Sequence, residues 1–165
     1  MIRITKPTDS DAVNALLVAS YSKLLTACYD SDTLARALPY LTKANPTLLA
    51  CGTYYVAERG PGNLVGCGGW TAENPGTEEI IEGEAHIRHF ATHPEWTRQG
   101  IGSTLLARCI SDALSLGIRK LHCVSTLNAE RFYQAAGFNT IGPIDVQLGL
   151  SVTFPGVLMS CEIAE

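Results

Sequence analysis

Apolar and polar residues alternate at the start of the chain, through Ile2 and Ile4, and residues 2–6 are predicted to form a first strand. The period then lengthens. Thr8-Asp9-Ser10-Asp11 offers capping oxygens ahead of Ala12–Val18, which predicts a helix to about Leu25. A second helix is expected from Ser31 or Asp32 to Lys43, because Leu34, Ala37, Leu38 and Leu41 fall on one face at spacings of three and four. Pro39 lacks an N–H to donate, so this segment can equally be two short pieces.

Beyond residue 50 the period shortens to that of strands. Thr53–Arg59 and Leu64–Thr71 flank the turn Gly60-Pro61-Gly62-Asn63 and predict a hairpin. A loop rich in Pro, Gly and Glu follows over Glu73–Gly83, then a strand over Glu84–Thr92. Gly100–Leu116 carries Ile101, Leu105, Cys109, Ala113 and Leu116 as one stripe, and Gly117 is placed to end that helix. Lys120–Ser125 reads as a strand and Asn128–Ala136 as a short helix closed by Gly137. Residues 138–148 and 150–163 read as two final strands. The order β-α-α-β-β-β-α-β-α-β-β describes an α/β domain with one central mixed sheet.

Composition narrows the classes. The 165 residues suit one domain, 1–165, and 46% apolar against 17% charged residues supplies a core and argues against disorder. Twelve basic against sixteen acidic residues make a poor general nucleic-acid binder. The N-terminal stretch has no apolar signal region and no run is long enough to span a bilayer, so a cytoplasmic location without membrane contact is expected. Six cysteines lack any C-x-x-C pair and are expected to be free thiols, mostly small core residues.

The most informative segment is Thr92-His93-Pro94-Glu95-Trp96-Thr97-Arg98-Gln99-Gly100-Ile101-Gly102-Ser103, which follows a strand and opens a helix. Gly100 and Gly102 let backbone approach a ligand, and the unpaired N–H groups of a helix start suit an anion such as a pyrophosphate. A Walker Lys-Ser/Thr and a third glycine at dinucleotide-fold spacing are both missing. On these glycines alone, a helix start packed on a sheet explains the pattern equally well.

Context adds to this. Arg98-Gln99-Gly100-Ile101-Gly102, after a strand ending Thr92-His93-Pro94, resembles the acetyl-CoA-binding motif of the GNAT superfamily of N-acyltransferases. Asn128-Ala129-Glu130-Arg131-Phe132-Tyr133-Gln134-Ala135-Ala136-Gly137-Phe138 resembles a second signature of that superfamily. The likeness spans the chain in element order and is strongest over residues 84–138. One departure is Thr97 at the motif's first position, with Arg98 one step later. The resemblance implies a GNAT-like fold of about seven mostly antiparallel strands and about four helices, with acetyl-CoA as acyl donor. It implies a bulged strand whose Phe90, Ala91 and Thr92 pair with the pantetheine arm. The loop Arg98, Gln99, Gly100, Ile101, Gly102 and Ser103 would cradle the pyrophosphate, and Asn128 would touch the pantetheine region.

Acetyl transfer to an amine needs a base, oxyanion donors and an acid for the leaving thiolate. By the same resemblance Tyr133 is the candidate acid, and a backbone N–H near Phe90–Thr92 the oxyanion donor. His86 and Glu84 are the candidate bases, direct or through water. Imidazole titrates near neutrality, and Glu84, His86 and Arg88 share one strand face. His89 would face the other way unless a bulge shifts the register. A metal is not expected, since His86, His89, His93 and His122 lack a ligand spacing. Trp70 and Trp96 are expected to pack, Trp70 with a second option of lining an acceptor pocket.

The sequence thus predicts transfer of an acetyl group to a primary amine, a small molecule or a peptide, by direct attack. The resemblance places the acceptor near residues 20–45 and 142–158, where Tyr21, Tyr29, Asp30, Asp32, Tyr40 and Asp145 lie, and makes a homodimer plausible. Two other readings stand beside it: a non-catalytic acyl-CoA sensor or interaction module, and an unrelated phosphate-ligand protein using residues 98–103.

Overall fold

Seven strands join in one sheet in the computed structural model, which describes residues 1–164. They are β1 (Ile2–Ile4), β2 (Tyr54–Glu58), β3 (Leu64–Thr71), β4 (Glu84–Thr92), β5 (Lys120–Ser125), β6 (Asn139–Leu148) and β7 (Val152–Glu162), in the order β1-β2-β3-β4-β5-β7-β6. Every neighbouring pair is antiparallel except β4 and β5, which are parallel and joined by a helical crossover. The helices are α1 (Ser10–Leu24), α2 (Ser31–Leu41), the single turn α3 (Pro46–Leu49), α4 (Ile101–Ser115) and α5 (Glu130–Ala135).

Alternation along the strands divides the apolar side chains between two faces. Tyr54 and Tyr55, adjacent on β2, illustrate it. Tyr55 joins Val65, Ala85, Ile87 and Leu121 under Leu105, Leu106, Cys109 and Ala113 of α4. Tyr54 joins Val56 and Cys67 under Val13, Leu16 and Leu17 of α1 and Leu34 and Ala37 of α2. Gly66 lets α4 settle onto β3, because a Cβ there would lie 2.6 Å from Cγ2 of Ile101.

The first strand is shorter than expected. Thr5, just past its end, donates its N–H to the Tyr54 carbonyl at 2.9 Å and its buried hydroxyl to the carbonyl of Leu49. Helix α2 runs unbroken through Pro39. Asp30 caps it by accepting from the Thr33 N–H at 2.8 Å, and Leu34 and Ala37 are buried, so packing outweighs the one lost helical bond. The one-turn α3 has no counterpart in the sequence reading. Asn45 caps it by accepting from the Thr47 N–H at 2.9 Å.

All six cysteines are free; Cys67, Cys109, Cys123 and Cys161 are buried, and Cys28 and Cys51 are exposed. Trp70 is buried in the α4-side core, the packing role expected of it. Among the described residues no helix is long and apolar enough to cross a membrane.

Candidate active site

The parallel pairing of β4 and β5 is short. It joins Glu84 to Lys120, Ala85 to Leu121 and His86 to His122, and then stops. β5 stays on β7 as far as Ser125, while β4 stays on β3 as far as Thr92. The two strands therefore part, and β4 has no β5 partner from Ile87 to Thr92. A bulge accompanies the parting. Between the pairs Cys67–Ala91 and Gly69–Arg88, β4 takes three residue steps and β3 two.

At the bulge His89 has φ 47°, a left-handed conformation that costs free energy for a residue with a Cβ. Several side chains clamp it. Tyr54 donates its hydroxyl to the His89 carbonyl at 2.7 Å, and Tyr21 donates to the Phe90 carbonyl at 2.7 Å. The His89 ring donates from Nε2 to the Leu41 carbonyl at 2.8 Å, and burial lowers its pKa. The bulge thus turns His89 toward the α1–α2 side. Phe90 lies on the other face over Gly68, where a Cβ would meet its ring at 2.5 Å.

Tyr133 of α5 is buried next to the parting of the strands. Its ring meets Phe90 edge-on at 6.3 Å and Phe138 at 5.5 Å. Burial, then the neighbouring Cys123 thiol, pushes the phenol well above its ordinary pKa, so it keeps its proton at neutral pH.

The loop before α4 is shaped by two left-handed residues, Arg98 at φ 60° and Gly100 at φ 80°. Arg98, Gln99, Gly100 and Ser103 are exposed, and Ile101 and Gly102 half-buried. The first helical bond runs from the Thr104 N–H to the Gly100 carbonyl at 2.9 Å, so the N–H groups of Ile101, Gly102 and Ser103 precede the ladder. A Cβ at Gly102 would lie 3.1 Å from the Phe132 ring and 3.8 Å from Thr92 Oγ1. That close approach draws the α4 start, α5 and the end of β4 together. Asn128 is exposed on the 3-10 turn Leu127–Ala129 between β5 and α5.

The other face of β4 presents Glu84, His86 and Arg88, since Ala85 and Ile87 point into the α4-side core. Glu84 accepts from His122 Nε2 at 2.5 Å, and the His122 ring stacks on His86 with centroids 5.1 Å apart. That bond holds the Glu84 carboxyl below its usual range. Burial, then His122 and Arg88, lower the His86 pKa, while Glu84 opposes them. Arg88 donates to Thr71 Oγ1 at 3.0 Å.

The residues nominated for an acceptor are less united. The Tyr21 hydroxyl is spent on the bulge. The Tyr29 hydroxyl donates to the Pro155 carbonyl and accepts from the Leu127 N–H. Asp30 caps α2 and Asp32 pairs with Arg36 at 3.5 Å. Tyr40 lines a groove of about 540 Å³ with Arg36, Pro39, Lys43, Ser151 and Val152, which does not include His86 or Tyr133. Asp145 is exposed on β6. His93 accepts from the Glu95 N–H, and among the described residues no group of three His, Cys, Asp or Glu is arranged to hold a metal ion.

Sequence reasoning missed Tyr54 as a bulge clamp and His122 as the partner of Glu84. A signal for the second existed: His122 alternates with the apolar Leu121 and Cys123, which puts it on the polar face of β5.

A strand parted from its parallel neighbour and a glycine-shaped helix start are the two features that the resemblance to the GNAT superfamily implies. Residues 18–138 match the family model "Acetyltransferase (GNAT) family", and the chain belongs to that family. Solved structures agree in fold. A GCN5-related N-acetyltransferase from Rhodopseudomonas palustris is 18% identical, with 98% of this chain and 94% of that one covered and a TM-score of 0.74. The PaiA N-acetyltransferase from Thermoplasma acidophilum, solved with coenzyme A, is 16% identical with 98% of both chains covered and a TM-score of 0.70. The ribosomal-protein-S18-alanine N-acetyltransferase from Escherichia coli is 15% identical, with 100% and 94% covered and a TM-score of 0.65. No curated protein matches the sequence.

Proposed function

We propose that residues 1–165 form one acetyl-CoA-binding domain that transfers an acetyl group to a primary amine by direct attack in a ternary complex. The observation that carries this reading is the parting of β4 from β5, which leaves an open strand edge leading to a helix start. An extended amide-bearing arm pairs with such an edge, and its phosphates suit the N–H groups of the helix. Phe90, Ala91 and Thr92 would hold the arm, with Asn128 beside it. Arg98, Gln99, Gly100, Ile101, Gly102 and Ser103 would hold the pyrophosphate.

When bound, acetyl-CoA supplies a thioester open to attack at its carbonyl carbon. His86 accepts the proton that the acceptor ammonium must lose. A backbone N–H of the parted strand near Phe90–Thr92 donates to the oxygen that gains charge. Tyr133 donates its phenolic proton to the departing sulfur as the C–S bond breaks. Glu84 serves as base only through water, because its carboxylate is engaged by His122.

A thermal-shift titration with acetyl-CoA, CoA and ATP, followed by thiol release against a panel of amines, tests this. A ligand that binds only the folded state raises the melting temperature. Shifts with acetyl-CoA and CoA but not ATP, with turnover of some amine, are expected. Binding without turnover would assign a non-catalytic acyl-CoA sensor, and no shift with millimolar CoA would sink the reading.

For His86→Ala, the limb of the pH–rate profile below about pH 6.5 is expected to disappear. The His86 pKa is lowered, so the native ring stays neutral through pH 7 and loses activity only as pH falls through that depressed value. Persistence of the same limb in the variant would exclude His86 as the base.

A further inference from the structure

We propose that Glu84 and His122 form a fixed carboxylate–imidazole pair that positions the His86 ring, which makes His122 a positioning residue for acceptor deprotonation. The inference rests on the reading of His86 as base. The three groups come from two strands and meet only through parallel register, with His86 opposite His122 and Glu84 opposite Lys120. Glu84 accepts from His122 Nε2 at 2.5 Å, which fixes the orientation of the His122 ring. The His122 ring then lies against His86 at 5.1 Å with planes 24° apart. Among the described residues His86 is held by that stack rather than by a hydrogen bond. Both of its ring nitrogens are therefore left for a substrate or water.

The charged and titratable groups around His86 are Glu84 and Arg88 on its own strand and His122 on β5. Lys120, next along β5, is 3.9 Å from Glu162 of β7. Thr71 of β3, opposite His86, carries no charge. His122 and Arg88 disfavour protonation of His86, and Glu84 favours it. An imidazole so placed takes a proton from an ammonium while remaining unprotonated at rest.

The test compares His122→Phe, which keeps an aromatic stack, with His122→Gln, which keeps a donor for Glu84. The readouts are the NMR titration of the His86 ring in the CoA-loaded protein and the pH profile of kcat/KM. The His86 midpoint is expected to rise in both variants, since one group opposing its protonation is gone, and kcat/KM at pH 7 to fall on the order of tenfold. His122→Phe should retain more kcat than His122→Gln, because the stack survives. An unchanged His86 midpoint in both folded variants overturns the inference whatever the activity. A midpoint that moves while the pH–rate limb stays supports the coupling between the rings and removes His86 as base, so the two failures are distinguishable.

Discussion

Tyr133→Phe is expected to lower the rate of thiol release by about 10²- to 10⁴-fold, the usual contribution of a positioned acid. The lower end corresponds to about 2.7 kcal/mol of barrier. The change removes one oxygen and keeps the ring, so the contacts with Phe90, Phe132 and Phe138 persist. CoA affinity is therefore expected to stay near the native value. Burial keeps the native phenol protonated at neutral pH, so the deficit should be present throughout pH 6–9. Steady-state thiol release over that range, with CoA thermal shifts in parallel, checks both statements. An unchanged rate would remove Tyr133 as the acid, and an equal loss of CoA affinity would make it a packing residue.

Leu105→Ala is expected to cost about 2–5 kcal/mol of folding free energy, the range for a leucine truncated inside a packed core. Leu105 is fully buried. It packs where α4 meets β3, its Cδ1 being 3.1 Å from the position of a Cβ at Gly66. Little can move in to fill the space, because β3 is a paired strand on both sides. At about 2–4 °C per kcal/mol for a chain of this size, the melting temperature should drop on the order of 5–15 °C. Leu114→Ala, on the exposed side of the same helix, is the control and should change stability by less than about 1 kcal/mol. Urea denaturation of both variants measures the difference. Near-equal values would mean that α4 does not rest on the Leu105 contact.

The readable part of this protein is the local part. The Ile101–Leu105–Cys109–Ala113–Leu116 stripe forecast α4 and its buried face; the structure buries Leu105, Cys109 and Ala113 there, while Leu116 lies past the helix end and is exposed. Gly100 and Gly102 forecast a helix start free of Cβ atoms, and Gly100 there has φ 80°. Both are local properties: one follows from a helical period, the other from the absence of a Cβ. The two motifs around residues 98–103 and 128–138 identified the family for the same reason, since each is a short run with a conformational demand of its own.

Other features depended on partners far along the chain. Pro39 argued locally for a broken helix, yet burial of Leu34 and Ala37 keeps α2 whole. The left-handed backbone at His89 is held by Tyr54, 35 residues away, and Phe90 is held by Tyr21, 69 residues away. Glu84 meets His122 across 38 residues because two parallel strands align there and nowhere beyond. Hydrophobic periodicity by itself determined the buried faces of α2 and α4 and, apart from α3, the order of the elements, and the two motif resemblances pointed to the family, because those signals act within a turn or two of chain. The bulge, the parting of β4 from β5 and the Glu84–His122–His86 alignment were decided only in the tertiary structure. Strand register is a property of two segments at once, and a step of one residue would have turned each of these side chains to the opposite face.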